Sequence, residues 1–393
     1  MLLVVPAEPG AGAGVPPETV VAGLPLLRRI VLAGARAGFV EIRVHKTLAV
    51  AEALLAGTPA VPLTPDEPDA PGTRRRIVIV PANVVPQPGW LRGLLGGALR
   101  PDTAYADASL TVVIETADPG RVLAAAARTR SAGELLGVLR GGVADPPAWS
   151  SDPSRGSALR AETGRFVLTA GADVAAAERW LLRGLIKQSE GFMSRHFERR
   201  ISLALTRRLV RTRLTPDAMT LVSLAIGLAG APFFLSSSPA VQLTGALLFL
   251  AHSILDGCDG EIARLKFQES RRGAILDFWG DNLVHVAVFG SIAIGWSLAA
   301  GTGWPLLLGA LTIASALGSA ACVFKRTMLD LVPAAGAAMT DRLAEAMAHR
   351  DFIYVVVLLS AVGRADWFLI LASAGTPIFL LLLLWVGAPR RAA

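Results

Sequence analysis

Four aspartates set in apolar surroundings are the residues of this chain best suited to chemistry. Between residues 255 and 281 the sequence reads LDGCDGEIARLKFQESRRGAILDFWGD, which places Asp256, Asp259, Asp277 and Asp281 in or beside stretches able to enter a bilayer. Carboxylates are costly at membrane depth, and a chain that keeps them there uses them. On a helix, Asp256, Asp259, Gly260 and Ala263 fall within about 100° of one face, so two carboxylates adjoin two residues with almost no side-chain bulk. The gap beside the acids is room for a ligand. Gly273, Asp277 and Asp281 recur at four-residue spacing and form a second stripe of the same kind.

Four like charges in a low dielectric repel one another unless cations neutralise them. The donors are hard oxygens, and helix phase turns Cys258 away from them, so Mg²⁺ or Mn²⁺ fits better than zinc. A pair of such ions would polarise a diphosphate and neutralise the charge developing on its leaving group. Arg264, one turn after Gly260, is placed to grip the same diphosphate with its guanidinium fork. The same acids would also serve a divalent-metal transporter, but the chain shows no inverted repeat, and a fixed Arg264 charge opposes a cation path. A third reading makes the protein a non-catalytic membrane scaffold for its soluble part.

The order Asp, two residues, Asp-Gly, two residues, Ala-Arg, eight residues, Gly, three residues, Asp, three residues, Asp resembles the signature of the CDP-alcohol phosphotransferases. Eight identities at fixed gaps are far more specific than a lone glycine motif. The resemblance implies a six-helix membrane fold, usually dimeric, in a bacterial or archaeal cytoplasmic membrane. It implies transfer of a substituted phosphate from a CDP-alcohol to an alcohol or polyol-phosphate acceptor, releasing CMP, in phospholipid or inositol-phosphate-like synthesis. The first three aspartates would bind metal and Asp281 would be the base for the acceptor hydroxyl, while Gly260 and Ala263 leave space for the cytidine nucleotide. Thr215-Pro216-Asp217 and Thr220 resemble the family's Pro-Asn-x-x-Thr start to the first span, with Asp217 in place of Asn. Arg199, Lys325 and Arg326 are candidates to hold a diphosphate or acceptor phosphate, as are Ser194, Arg195, Arg200 and Arg350; anchoring among lipid headgroups is their alternative. His252, four residues before Asp256, reads as a core or network residue beside the cavity.

The elements that must carry these residues follow from hydropathy. The chain has 393 residues, 53% of them hydrophobic, and the apolar ones concentrate after about residue 217. Spans are expected at Ala218–Leu235, Val241–Leu255, Ile275–Trp296, Trp304–Phe324, Phe352–Val362 and Trp367–Val386, the fifth being short. Lys and Arg gather in 207–213, 264–272, 325–350 and 390–391, so both termini and the active site should face the cytoplasm. Nine Lys or Arg residues lie between Arg183 and Arg213 among spaced apolar residues, a pattern for helices in the membrane interface. The net charge of +7 is thus better explained by lipid headgroups than by nucleic acid. With two cysteines, Cys258 and Cys322, there is no disulfide framework.

Three parts are expected: a soluble domain over 1–175, a basic juxtamembrane segment over 176–213 and the membrane domain over 214–393. In the first, Leu2–Val5, Val40–Val44, Ile77–Val80, Leu110–Ile114 and Arg165–Leu168 read as strands. Val20–Ala37, Ala49–Leu55, Arg121–Leu139 and Val174–Ile186 read as helices, and the alternation implies an α/β layer with a mostly parallel sheet. The phrase GLPLLRRIVLAGARAGFVEIRV resembles the sugar-phosphate nucleotidyltransferases, and the whole chain resembles fusions of such a domain to a CDP-alcohol phosphotransferase, as in inositol-phosphate enzymes. The family's catalytic details are poor here. Gly10 to Gly14 lacks a following basic residue, Leu24 stands where a Lys is usual, and Pro81-Ala82-Asn83 lacks the metal-binding Asp. The domain is expected to keep the Rossmann-like fold without making the donor.

Overall fold

The computed structural model describes residues 1–8, 15–48, 52–64, 74–139, 143–144, 164–186, 193, 197–329 and 351–387. Gly10 to Gly14, Ser194, Arg195, Arg350 and the Asp145–Asp152 loop lie outside them. The chain divides into two compact units, Met1–Arg183 and Gly184–Ala393.

The first unit holds strands β1 (Leu2–Val5), β2 (Val20–Val21), β3 (Leu24–Pro25), β4 (Ile42–Val44), β5 (Ala60–Pro62), β6 (Arg75–Pro81), β7 (Val84–Pro86), β8 (Ala104–Ala106), β9 (Val112–Thr116), β10 (Val143–Ala144) and β11 (Arg165–Val167). Seven of them form one sheet in the order β10-β8-β9-β6-β1-β4-β5. β1, buried along its whole length, pairs in parallel with β4 and β6, as an apolar strand at the centre of an α/β layer should. Four of its six pairings are parallel, as expected, and the sheet is mixed because β9 runs antiparallel to both β6 and β8. The cause is local: Asp107 accepts from the backbone of Ser109 and Thr111, folding a turn too short for the crossover that parallel strands need.

Two helix expectations also change. Val20–Ala37 divides into the β2–β3 hairpin and helix α1 (Leu26–Ala37), since Ala22 and Gly23 both take positive φ in the turn. Arg29, 2% exposed, donates to the Val21 and Ala22 carbonyls, and Glu178 accepts from the Ala22 amide, so that turn is held from both sides. Arg121–Leu139 is two helices, Pro119–Arg128 and Ala132–Val138, because Ser131 caps a new N-terminus by accepting from Glu134. Asn83 donates to the Leu168 carbonyl at 3.0 Å and so ties the turn after β6 to the end of β11.

The second unit is helical. Among the described residues, five helices are long and apolar enough to cross a membrane: Pro216–Leu235, Pro239–Lys266, Arg271–Ala300, Trp304–Met328 and Ala365–Trp385. The described part of the expected fifth span, Phe352–Ala361, has 10 residues, short of a crossing. Lacking a hydrophobic force between them, membrane helices associate through small residues. Gly230 and Gly245 do this here: a Cβ at Gly245 would stand 2.9 Å from the Gly230 carbonyl oxygen. Phe234, Phe249, Val284, Val288 and Ile292 fill the apolar hub beyond that contact.

The helix Pro239–Lys266 is 28 residues long and Arg271–Ala300 is 30. At about 1.5 Å per residue each exceeds the roughly 30 Å of hydrocarbon. Their acidic residues lie in the halves joined by the turn at 267–270.

Candidate active site

The turn at 267–270 sets these two long helices antiparallel. Phe267 ends the first in a left-handed conformation, and Ser270 caps the second by accepting from the Gly273 amide at 2.9 Å. Asp259 lies seven residues before the end of one helix and Asp277 six residues after the start of the other, which brings the two acidic stripes level. Asp256, Asp259 and Asp277 each offer a carboxylate oxygen, all within 4.8 Å of one another. Asp256 and Asp259 are 5% and 6% exposed.

Each acid has a distinct setting. Asp259 accepts from the hydroxyl of Thr220 and from the Gly260 amide. Thr220 also lies 3.2 Å from the Pro216 carbonyl, one turn back, where Pro216 opens its helix. Asp277 Oδ1 is buried with no hydrogen-bond partner among the described residues. Asp281 Oδ1 stands 3.2 Å from Nε2 of His252, whose Nδ1 meets the Ser223 carbonyl at 2.9 Å.

Around the acids, small residues keep the backbone bare. A Cβ at Gly260 would stand 3.2 Å from Nη1 of Arg264, so that guanidinium folds back over Gly260. Ala263, one turn on, is buried. A Cβ at Gly273 would stand 3.0 Å from Oδ1 of Asp217, which puts the start of the Pro216 helix beside the start of the Arg271 helix.

The basic candidates separate. Arg199, in the helix Arg199–Leu209, donates to Oε1 of Glu261 at 2.6 Å and flanks Gly257. Ser202 and Thr206 donate to the same carboxylate at 2.7 and 2.6 Å. Glu261 is fully buried and stands about 150° around its helix from the aspartate face. Lys325 and Arg326 follow the helix Trp304–Phe324, near the acidic end of the neighbouring helix, since Arg271 donates to the Met328 carbonyl at 3.2 Å. Lys325 and Arg200 are exposed.

The sequence reading passed over Glu261, although the rule that intramembrane acids serve a purpose applied to it as well. It also left the partners of His252 open. The partners of both lie on polar stripes, Arg199-Ser202-Thr206 for Glu261 and Pro216-Thr220-Ser223 for His252, whose spacing of three or four residues is a helical signal.

Residues 213–388 match the family model described as CDP-alcohol phosphatidyltransferase. A Rubrobacter xylanophilus protein named "Bifunctional IPC transferase and DIPP synthase" is 41% identical over 145 residues, 36% of this chain and 32% of that protein. A Mycobacterium tuberculosis protein named "CDP-diacylglycerol--serine O-phosphatidyltransferase" is 32% identical over 99 residues, 23% of this chain and 34% of that protein. The chain thus spans about a third of the length of these relatives. Among solved structures, Mycobacterium tuberculosis phosphatidylinositol phosphate synthase with CDP-DAG bound is similar over 49% of this chain and 99% of its own, with 23% identity and a TM-score of 0.36. The aspartate hairpin lies wholly inside the region that matches the CDP-alcohol phosphatidyltransferase model.

Proposed function

We propose that this protein transfers a substituted phosphate from a CDP-alcohol to an acceptor hydroxyl and releases CMP. The observation that carries the reading is the approach of three carboxylates from two helices to within 4.8 Å, inside the region that matches the family. Oxygen donors alone, with one buried carboxylate oxygen unpartnered, fit a hard divalent cation. Asp256, Asp259, Asp277 and Asp281 would hold it as Mg²⁺ or Mn²⁺, as a pair of ions. Bound there, the metal supplies positive charge to the diphosphate and its leaving group.

The chain's own residues do the rest. Gly260 and Ala263 leave room for the cytidine nucleotide, and Gly273 keeps the facing stripe clear. Arg264 lies over Gly260 and is the group to hold the diphosphate. Asp281 takes the proton from the acceptor hydroxyl as its oxygen attacks the alcohol-bearing phosphorus. The bond to the bridging oxygen breaks, and CMP leaves with that oxygen. Lys325 and Arg326 would attract a phosphorylated acceptor.

The arrangement in the membrane belongs to the same proposal: six crossings in a homodimer, with both termini and the site cytoplasmic. Trp296 and Trp304, 4.4 Å apart at the opposite end from the acids, and Arg364 over Trp367 suit the aromatic girdle of the other interface. Residues 1–175 keep a nucleotidyltransferase-like fold without donor synthesis, and 176–213 are the juxtamembrane connection to 214–393. CTP-dependent pyrophosphate release by the protein would overturn that part.

The test is CMP release by purified protein in detergent with Mg²⁺ or Mn²⁺. CDP-diacylglycerol and CDP-inositol are offered against inositol, inositol phosphate and glycerol phosphate. Release with at least one pair, lost in Asp281→Asn, is the expected result. No release from any pair would refute the reading.

A further inference from the structure

We propose that His252 is a positioning residue for Asp281, and that the Pro216–Gly230 helix is the fixed frame it works against; the inference rests on the transfer reading above. Three helices meet at this imidazole. It sits on Pro239–Lys266, reaches a backbone carbonyl of Pro216–Gly230, and faces a carboxylate of Arg271–Ala300. A carbonyl only accepts, so Nδ1–H donates to Ser223 at 2.9 Å, and this bond fixes the ring plane. Nε2 is thereby aimed at Asp281 Oδ1, 3.2 Å away, and holds that oxygen as an N–H donor, since a carboxylate only accepts.

The surroundings are built to hold the ring rather than merely to tolerate it. His252 is 2% exposed and Ser223 is fully buried. Phe249 stacks on the imidazole at 6.3 Å with 14° between planes. Gly227 clears the other side: a Cβ there would stand 2.9 Å from Cγ of His252 and 2.7 Å from a methyl of Val284. Packing alone would be served by Leu or Phe, without burying a polar ring in the hub.

The same helix also fixes the opposite stripe, since Thr220 donates to Asp259. One carboxylate of each long helix is thus referred to a single neighbouring backbone, directly through Thr220 and indirectly through His252. Holding Oδ1 of Asp281 sets the plane of its carboxylate. That plane decides the direction from which Oδ2 meets the acceptor proton, and outer-shell partners of this kind are worth on the order of 10-fold to 100-fold in activity.

The experiment compares His252→Leu, His252→Gln and His252→Asn in the full-length protein. Gln places an amide N–H where Nε2 stands; Asn reproduces only the Nδ1 bond. For the donor and acceptor pair that works in the unsubstituted protein, His252→Leu should lower kcat on the order of 10-fold to 100-fold, with KM for the donor within about twofold. His252→Gln should recover part of kcat, and His252→Asn should not. Equal kcat in the Gln and Leu variants, or a kcat loss in the Leu variant below about twofold, overturns the proposal.

A second readout needs no turnover. In solid-state spectra of ¹⁵N-histidine-labelled protein, with His252 identified by its loss in His252→Gln, Asp281→Asn should shift the His252 ring signals. Unchanged signals overturn the proposal even where no CMP release is found, and shifted signals sustain it while the transfer reading fails separately. The same spectra decide the matter if His252→Leu does not fold.

Discussion

Replacing Glu261 by leucine should loosen the helix Arg199–Leu209 from its neighbour, and the cost can be worked from the contacts. The carboxylate is fully buried and takes three donors at 2.6 to 2.7 Å, from Arg199, Ser202 and Thr206. Removing one partner of a buried pair costs about 3–5 kcal/mol, chiefly because the other charge is stranded. The Arg199 side chain is 17% exposed and can turn toward water, which argues for the lower end. Each stranded hydroxyl adds about 1 kcal/mol, while the apolar surface of leucine returns a similar amount. The net expectation is about 3 kcal/mol. Glu261→Gln, which keeps one of the two acceptor oxygens and loses the charge, should cost about half of that. The assay is reversible unfolding in detergent of Glu261→Leu, Arg199→Met and the double variant. The double variant should be less destabilised than the sum of the singles by at least about 1 kcal/mol. Strict additivity, with a coupling below about 0.5 kcal/mol, would refute the claim that these groups act as one buried network.

Other expectations follow from equally local geometry. Gly295→Ala sets a Cβ 2.8 Å from Cα of Leu235, backbone that cannot step aside, and should lower stability by about 2–3 kcal/mol; an unchanged unfolding midpoint would contradict this. Gly260→Leu fills the space beside the acids and should raise KM for the CDP donor by at least about tenfold with Mn²⁺ affinity retained, so an unaltered KM would remove the nucleotide from that face. Burial holds the His45 ring below the ordinary histidine range. As pH falls through about 6.5, the unfolded chain takes up a proton there that the folded chain does not, so stability drops with acid. His45→Phe should flatten the slope of unfolding midpoint against pH below about 6.5, and an unchanged slope would show that His45 does not cause it.

The aspartate hairpin was legible because its information is local. Two acidic stripes, each within three turns of a helix and separated by a short polar turn, can meet in only one way. The spans were legible from hydropathy, except that Phe352–Ala361 is too short to count by length. What stayed hidden was pairing across distance in sequence. Glu261 is buried by a helix about 60 residues upstream, and nothing in the motif says which residues will satisfy it. Arg199 read equally well as a ligand for phosphate or for lipid until that carboxylate claimed it. In the first unit, the β8–β9 hairpin was missed because Ala104–Ala106 is too short and too weakly β-forming to show a period of two. β9 was placed two residues early because Leu110, apolar but at φ 60°, belongs to the turn.

The central claim, that the clustered aspartates serve phosphate transfer through a bound divalent ion, is met most directly by the Mn²⁺ dependence of CMP release. It should be measured for the unsubstituted protein, Asp256→Asn and Asp277→Asn. The account predicts saturable release in the unsubstituted protein, none in chelator, and in both variants a loss of at least about a hundredfold that added Mn²⁺ does not restore. Release that persists in chelator, or variants matching the unsubstituted protein at every Mn²⁺ concentration, would contradict it.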